Sequence, residues 1–469
     1  MRIDLICEGD LHVATWSLNG CSNCSIETFQ TPPEKLNLHS LVRVPLLLLA
    51  MPLEIAFHVL ENGPPQWVRD NVGLLIKTLT TLAVLTLAKI WFNGASSLAE
   101  RDMYGRVVMV TGGTSGIGSR VAFELARRGA QLVLLTQAPV SDPFLVDHIN
   151  DLRERTKNNL IYAEQVNLTS LHSIRQFATK WIDNSPPRRL DMIILAAATF
   201  TTPGQPQAKT EDGVEETWMV NYLANFHLLA ILSPALRAQP FDRDVRVIFT
   251  TCSSYIGAGP LSQPLEAENW SPGAAYKRSK LALMTFGVAF QKHLDAYKRP
   301  DGLPMNARVV FVDPGYARSP GMRRWLTRGS LWGLLLYLVA YPLPWLFLKS
   351  PLKGAQSILY AAMDQDLGRG AGGRMIKECR EVDFARKDVH DEELAKKLWE
   401  ESDALIEKVE KEQALKRAEK KEREEEKAKE AAEAEKTKEF EGLVDAIKKG
   451  KETQKSKGKK KARKADTSG

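Results

Sequence analysis

From Gly105 to about Ala317 the chain alternates between two patterns. Runs of Val, Ile and Leu without polar alternation give way to stretches whose apolar residues fall at helical spacing. The runs are RVVMVTG, QLVLLTQ, LIYAEQVNL, LDMIILAAA, RVIFTTCSS and ARVVFVDPG, and RVAFELARRGA typifies what lies between them. A strand that is apolar on both faces has to be covered on both faces, and helices crossing between parallel strands do that. The pattern therefore predicts a doubly wound α/β domain with a parallel, Rossmann-type sheet.

Four segments follow from this. Residues 1–40 show no clear period and are expected to be poorly ordered; residues 41–95 carry two membrane-anchoring hydrophobic stretches; residues 105–410 hold the α/β domain; residues 411–469 are a charged helix and a Lys-rich disordered tail. The first apolar stretch, VPLLLLAMPLEIAFHVL (44–60), is broken by Pro45, Pro52 and Glu54 and suits an interfacial or re-entrant helix. The second, VGLLIKTLTTLAVLTLAKIWF (72–92), would measure about 31 Å as a helix, enough to cross a hydrocarbon core. Lys77 and Lys89 near its ends could snorkel to headgroups, and Trp91 and Phe92 suit an interface; the alternative is an amphipathic surface helix. A hairpin of both stretches leaves the termini on one side, and the Lys-rich tail suggests that this side, with the α/β domain, is the cytosol, on endoplasmic reticulum or lipid droplets.

The net charge of +7 invites a nucleic-acid reading, but residues 451–469 alone carry eight Lys or Arg against Glu452 and Asp466. The rest of the chain is nearly neutral, so no nucleic-acid partner is expected. Cys7, Cys21, Cys24, Cys252 and Cys379 are few and odd in number, as in a reducing compartment. Cys21 and Cys24 form a CxxC that Cys7 or His12 could complete, but no second close ligand pair follows. Free thiols are the favoured reading, with no metal site. In DEELAKKLWEESDALIEKVEKEQAL, apolar residues at 394, 398, 405, 409 and 415 share one helical face.

Chemistry concentrates in four places. TGGTSGIG (111–118) closes the first strand and opens the first helix. There Gly112 permits a tight turn, Gly116 a close approach of backbone to a pyrophosphate, and Gly118 close packing of helix on strand. AAYKRSKLAL sets Tyr276 and Lys280 four apart on a helix, an ammonium beside a phenol. A phenol with an ordinary pKa of about 10 works as acid or base at neutral pH only if roughly 4 kcal/mol favours its ionised form, and Lys280 is expected to supply part of that. Ser253 and Ser254 end a strand at the edge where open α/β sheets bind ligands. Asn221 is polar inside an apolar helix, and in DPGYARS a turn follows the last strand, with Ser319 able to reach a ligand amide.

In this order the motifs resemble the short-chain dehydrogenase/reductase superfamily over roughly residues 105–410, through TGxxxGxG, YxxxK and the PG turn. The resemblance implies a catalytic tetrad of Asn221, Ser254, Tyr276 and Lys280. It also implies cofactor contacts from Gly112, Thr114, Ser115, Gly116, Ile117, Gly118, Gln137, Asn167, Leu168, Ala196, Pro314, Gly315 and Ser319, besides Tyr276 and Lys280. In the implied chemistry Tyr276 exchanges a proton with the substrate oxygen, Ser254 hydrogen-bonds that oxygen, Lys280 binds ribose hydroxyls, and Asn221 holds a relay water. WSPGAAYKRSKLAL, the spacing of Ser254 and Tyr276, and ELAKKLWEESDALI are similar to the retinol dehydrogenase-type branch, which acts on lipophilic alcohols and carbonyls. Two departures stand out: Leu195, Ala196, Ala197 and Ala198 replace the family's NNAG, and Asn167 replaces its adenine-contacting Asp. Gln137 occupies the position that selects the nicotinamide cofactor; with no acid there to hold a ribose diol, NADP is favoured over NAD.

LWGLLLYLVAYPLPWLFL (331–348) lacks any charge. Pro342 and Pro344 would break a span near its end, and crossing would strand residues 350–410 on the wrong side. The favoured reading is a kinked helix lying in the membrane surface as a gate for a lipid substrate, flanked by Arg323, Arg324, Arg328 and Lys349; a buried lid and a true span are the alternatives. The whole then reads as an NAD(P)-dependent oxidoreductase for a lipophilic alcohol and its aldehyde or ketone. Its alternative is a catalytically weak scaffold that binds partners through the charged C-terminal helix.

Overall fold

The computed structural model describes residue 63 and residues 65–185, 188–263 and 270–465. The expectations for residues 1–40, for the stretch 44–60 and for Cys7, His12, Cys21 and Cys24 lie outside these residues. The chain divides into two compact units, Met1–Thr81 and Leu82–Gly469.

In the first unit the described residues form helix α1 (Gln66–Asp70) and the start of α2 (Val72–Asn93), which has no buried residue along its length. The hydroxyls of Thr78, Thr80, Thr81 and Thr86 each donate to a carbonyl three or four residues back. Those polar groups are thus satisfied within the helix, without water.

The second unit is built on an eight-stranded sheet of order β3-β2-β1-β4-β5-β6-β7-β8. The first six strands are those the apolar runs predict: β1 (Val107–Thr111), β2 (Gln131–Thr136), β3 (Ile161–Gln165), β4 (Met192–Leu195), β5 (Val245–Thr250) and β6 (Ala307–Asp313). All pair in parallel, and β1 and β4, strands far apart in sequence, lie side by side at the sheet's middle. That neighbour pair is where the winding reverses and where such sheets open a ligand crevice. Two short strands beyond the sequence reading extend the edge: β7 (Arg374–Lys377), parallel to β6, and β8 (Arg380–Val382), antiparallel to β7. Glu378 and Cys379 join them with φ of 52° and 55°. This tight turn is normally written Asn-Gly, so the sequence carried no hairpin signal.

Helices cover both faces. On one side α3 (Gly116–Arg127), α4 (Pro143–Thr156) and α11 (Pro351–Met363) enclose Val108, Val110, Leu132 and Ile194. On the other, α5 (Leu171–Ile182), α6 (Glu216–Arg237) and α7 (Pro272–Asp295) enclose Met109, Ile193, Val247, Phe249 and Phe311. α6 is long and apolar enough to cross a membrane, but 78% of its apolar window is buried; it is a core helix.

The C-terminal helix α12 (Glu392–Ala465) docks with Leu398 and Val409 of the predicted face buried, Leu394 and Leu405 half-buried, and Trp399 against Phe226 and Phe286; Leu415 of that face is 67% exposed, and Ile406, outside it, is buried. It continues through the Lys-rich residues, where a disordered tail was expected. Side-chain pairs four apart, such as Lys420–Glu424 and Lys421–Glu425, line the exposed helix, a pattern that favours helix even without a packed face.

The apolar stretch after β6 leaves the domain and returns to it. Its base is closed by Lys349 N–H to the Tyr316 carbonyl and Arg318 N–H to the Lys349 carbonyl, both 2.9 Å. Three short helices make up the excursion: α8 (Pro320–Leu326), α9 (Leu331–Val339) and α10 (Pro342–Phe347), the kink falling just before Pro342. None has a buried residue; Leu331 is 85% and Trp332 82% exposed, which sets aside the buried-lid reading. Lys89 does not snorkel as expected. Its ammonium donates to the Trp345 and Leu348 carbonyls at the end of α10 and sits 5.1 Å from the Trp345 ring centre, while Phe92 packs edge-on against Phe347. The unpaired carbonyls at a helix C-terminus draw a cation strongly enough to hold it there.

Candidate active site

The site lies along the carboxyl ends of β1, β4, β5 and β6. At the end of β1, Gly112 has φ 67°, and a methyl there would lie 2.8 Å from Ala197 Cα. A methyl on Gly118 would lie 2.2 Å from the Gly112 carbonyl oxygen, so α3 can begin this close to the turn only with glycine at that position. Ser115, at the N-cap of α3, makes no side-chain cap, which leaves the first-turn amides to a ligand or to water. A methyl on Gly116 would project toward Ser319, 3.3 Å from its Cβ. This glycine-lined gap with free helix amides fits the pyrophosphate of a dinucleotide.

The other expected cofactor contacts divide. Thr114 is half-buried beside this gap; Pro314 is buried and Gly315 has φ 73°, giving the turn after β6. Ile117 packs into the protein, against Gly354. Leu168 and Ala196 are half-buried against the two cores. Gln137 is exposed and its carbonyl accepts from Gln165 Nε2. The Asn167 amide oxygen accepts from the Thr169 N–H and hydroxyl, which commits it to its own turn. The Ser319 oxygen caps α8 by accepting from Met322 N–H at 3.2 Å, which leaves its hydroxyl proton and a second lone pair for a ligand.

Asn221 sits on a π-turn, Met219–Leu223, within α6. Such turns re-aim a side chain inside an otherwise regular helix. Its amide nitrogen donates to the Thr199 carbonyl (2.8 Å) and Ser279 Oγ (3.1 Å), and its oxygen accepts from Thr199 N–H (2.8 Å). Its own carbonyl accepts from Asn225 Nδ2. The side chain thus ties the loop after β4 to α7. Ser279 in turn donates to the Tyr276 carbonyl.

The two serines at the end of β5 separate. Ser253 turns away, hydrogen-bonding Asp313 while Lys377 Nζ donates to it at 2.9 Å. Ser254 turns inward, where its Oγ lies 2.8 Å from Cys252 Sγ, and the same thiol lies 3.6 Å from the Tyr276 hydroxyl. Lys280, buried, donates to the Thr250 carbonyl at 3.1 Å, with its ammonium 5.7 Å from the Tyr276 ring centre. Phe200 stands edge-on to the Tyr276 ring at 5.5 Å.

Electrostatics correct one expectation. Burial pushes the Tyr276 phenol well above its ordinary value, with Cys252, Asp313 and Tyr316 adding to the rise, where Lys280 was expected to bring it down. Burial also lowers Lys280, with Cys252 opposing. Removing a phenolate and an ammonium from water disfavours both charges. Cys252 and Phe200 are the site residues the sequence did not single out. A thiol in a strand-to-turn segment and an aromatic after a run of alanines both read as ordinary packing.

Sheet order, glycine turn and clustered hydroxyls define a dinucleotide-dependent oxidoreductase. The chain belongs to the short-chain dehydrogenase family, in its retinol dehydrogenase-like branch. Residues 106–328 match the short chain dehydrogenase family profile. The chain is 43% identical over 350 residues to the Uncharacterized oxidoreductase pbr1 of Schizosaccharomyces pombe, covering 73% of this chain and 93% of that protein. It is 32% identical over 333 residues to Retinol dehydrogenase 13 of Mus musculus (70% and 91% covered). To Polyprenol dehydrogenase of Mus musculus it is 33% identical over 299 residues (63% and 82%).

Proposed function

We propose that the protein interconverts a lipophilic alcohol and its aldehyde or ketone at a membrane surface, using NADP in preference to NAD. One observation carries the reading: Ser254, Tyr276 and Lys280 meet at the carboxyl end of β5, in a domain whose excursion after β6 presents exposed apolar helices.

The Gly112–Gly118 turn would hold the pyrophosphate, and Tyr276 and Lys280 the nicotinamide ribose. Gln137, with no acid at its position, favours a phosphorylated adenosine ribose. A bound nicotinamide supplies or takes up the hydride. Tyr276, its phenol raised by burial, holds its proton at neutral pH and is set to give it to a carbonyl oxygen. Ser254 donates a hydrogen bond to that oxygen as charge builds on it. Lys280, fixed by the Thr250 carbonyl, stabilises the phenolate left behind. Asn221 keeps the Thr199–Phe200 loop against the Tyr276 helix.

The substrate class rests on the relatives' names together with the exposed α9 and α10. α2, 22 residues without a buried side chain and with its threonines internally bonded, serves as the anchor. Endoplasmic reticulum or lipid-droplet membrane, with the catalytic domain in the cytosol, fits this arrangement.

The test follows NADPH and NADH oxidation in membranes holding wild-type protein or Tyr276→Phe, with a panel of lipophilic aldehydes and ketones. NADPH-dependent turnover that disappears in the variant supports the proposal. No turnover of any panel member, with no binding of either nucleotide, overturns it in favour of a scaffold.

A further inference from the structure

Cys252 has no part in the chemistry above, yet its sulfur is the atom that both reacting hydroxyls approach. It lies 2.8 Å from Ser254 Oγ and 3.6 Å from the Tyr276 hydroxyl, and it is a free, half-buried thiol. Two hydroxyls that must converge on one carbonyl oxygen need a third group to hold them convergent while that oxygen is elsewhere. A thiol suits this. It donates one weak hydrogen bond and accepts another, and both yield readily when a better acceptor arrives. With the thiol donating to the Tyr276 oxygen, the phenol keeps its own proton free to face the substrate.

We infer that Cys252 is a positioning residue, holding the Ser254 and Tyr276 hydroxyls in register for the substrate oxygen. The inference deepens the proposed reaction and rests on it. The surroundings agree. Tyr276 is faced by Cys252 from the end of β5, by Lys280 from its own helix, and by Asp313 and Tyr316 from the turn after β6. Of these, Cys252 is the largest contributor after burial to the raised phenol.

Three variants separate positioning from space-filling. Cys252→Ala removes both contacts, Cys252→Ser restores a donor and acceptor, and Cys252→Val keeps bulk without polarity. For reduction of the best carbonyl in the panel, Cys252→Ala and Cys252→Val are expected to lose about three- to tenfold in kcat with little change in KM, the size of one hydrogen bond. Cys252→Ser recovers most of the rate. A valine variant as active as wild type, or a serine variant as slow as alanine, overturns the inference.

A second readout needs neither turnover nor nucleotide. Peptide mass spectrometry follows alkylation of Cys252 by iodoacetamide in the full-length protein, in wild type, Ser254→Ala and Tyr276→Phe. Severalfold faster labelling in the variants shows that the hydroxyls hold the thiol, whereas equal rates in all three refute it. Should wild type turn over nothing while labelling still depends on Ser254, it is the proposed reaction that has failed and the thiol contact that stands.

Discussion

Gly118→Ala tests the geometry of the glycine turn most directly. The new methyl would lie 2.2 Å from the Gly112 carbonyl oxygen, about 1 Å inside an ordinary contact, and its neighbour is backbone that cannot swing aside. The start of α3 must retreat by a comparable distance. Overpacking of this kind costs about 1–3 kcal/mol, and at roughly 2–4 °C per kcal/mol the melting temperature should fall by about 2–10 °C. The larger effect is on nucleotide binding, because the displaced amides are those left free at the N-terminus of α3. Loss of one hydrogen bond to a charged phosphate, about 1.5–3 kcal/mol, corresponds to a ten- to hundredfold weaker Kd. Both quantities can be read on purified protein in detergent, by thermal unfolding and by titrating NADPH against tryptophan emission. Gly259→Ala is the control, since no atom lies within 4 Å of the added methyl. A Gly118→Ala protein that melts and binds NADPH like the control would refute the assignment of this turn as the phosphate site.

Other expectations follow from single contacts. Ser254→Ala should reduce kcat about a hundredfold or more, as loss of an oxyanion donor does. Ser253→Ala should instead cost about 1 kcal/mol in unfolding free energy with turnover largely kept, because that hydroxyl serves Asp313 and Lys377. Trp332→Ser combined with Leu336→Ser, at positions 82% and 68% exposed, should leave stability within about 0.5 kcal/mol yet slow turnover of membrane-dissolved substrates relative to water-soluble ones; equal effects on both would remove α9 from the substrate path. His227 is buried and its pKa is lowered to about 4, chiefly by burial, with Glu410 opposing and Arg175 assisting. A neutral folded histidine adds stability that is complete above the unfolded value near 6.5 and is lost as pH falls toward 4, up to about 3 kcal/mol. His227→Gln should flatten that part of the stability profile, measured by urea unfolding between pH 7 and 4.

The sequence by itself determined the parts of this protein that depend on local pattern. Unbroken apolar runs require a sheet covered on both faces, and six strands appear where those runs lie. TGGTSGIG reads as a tight turn because Gly112 permits one between a strand and a helix, and Tyr276 and Lys280 share a helix face because four residues make about one turn. What depends on encounters between distant segments was decided only by the tertiary structure. Ser253 and Ser254 are neighbours in sequence, yet one serves Lys377 across the sheet and the other meets Tyr276. Burial raises Tyr276 despite the nearby lysine, since desolvation depends on everything packed around a group. Lys89 reads as a snorkelling residue until α10 brings carbonyls to it from more than 250 positions away. Cys252 gave no signal at all, because what distinguishes it is the pair of hydroxyls that the fold carries to its sulfur.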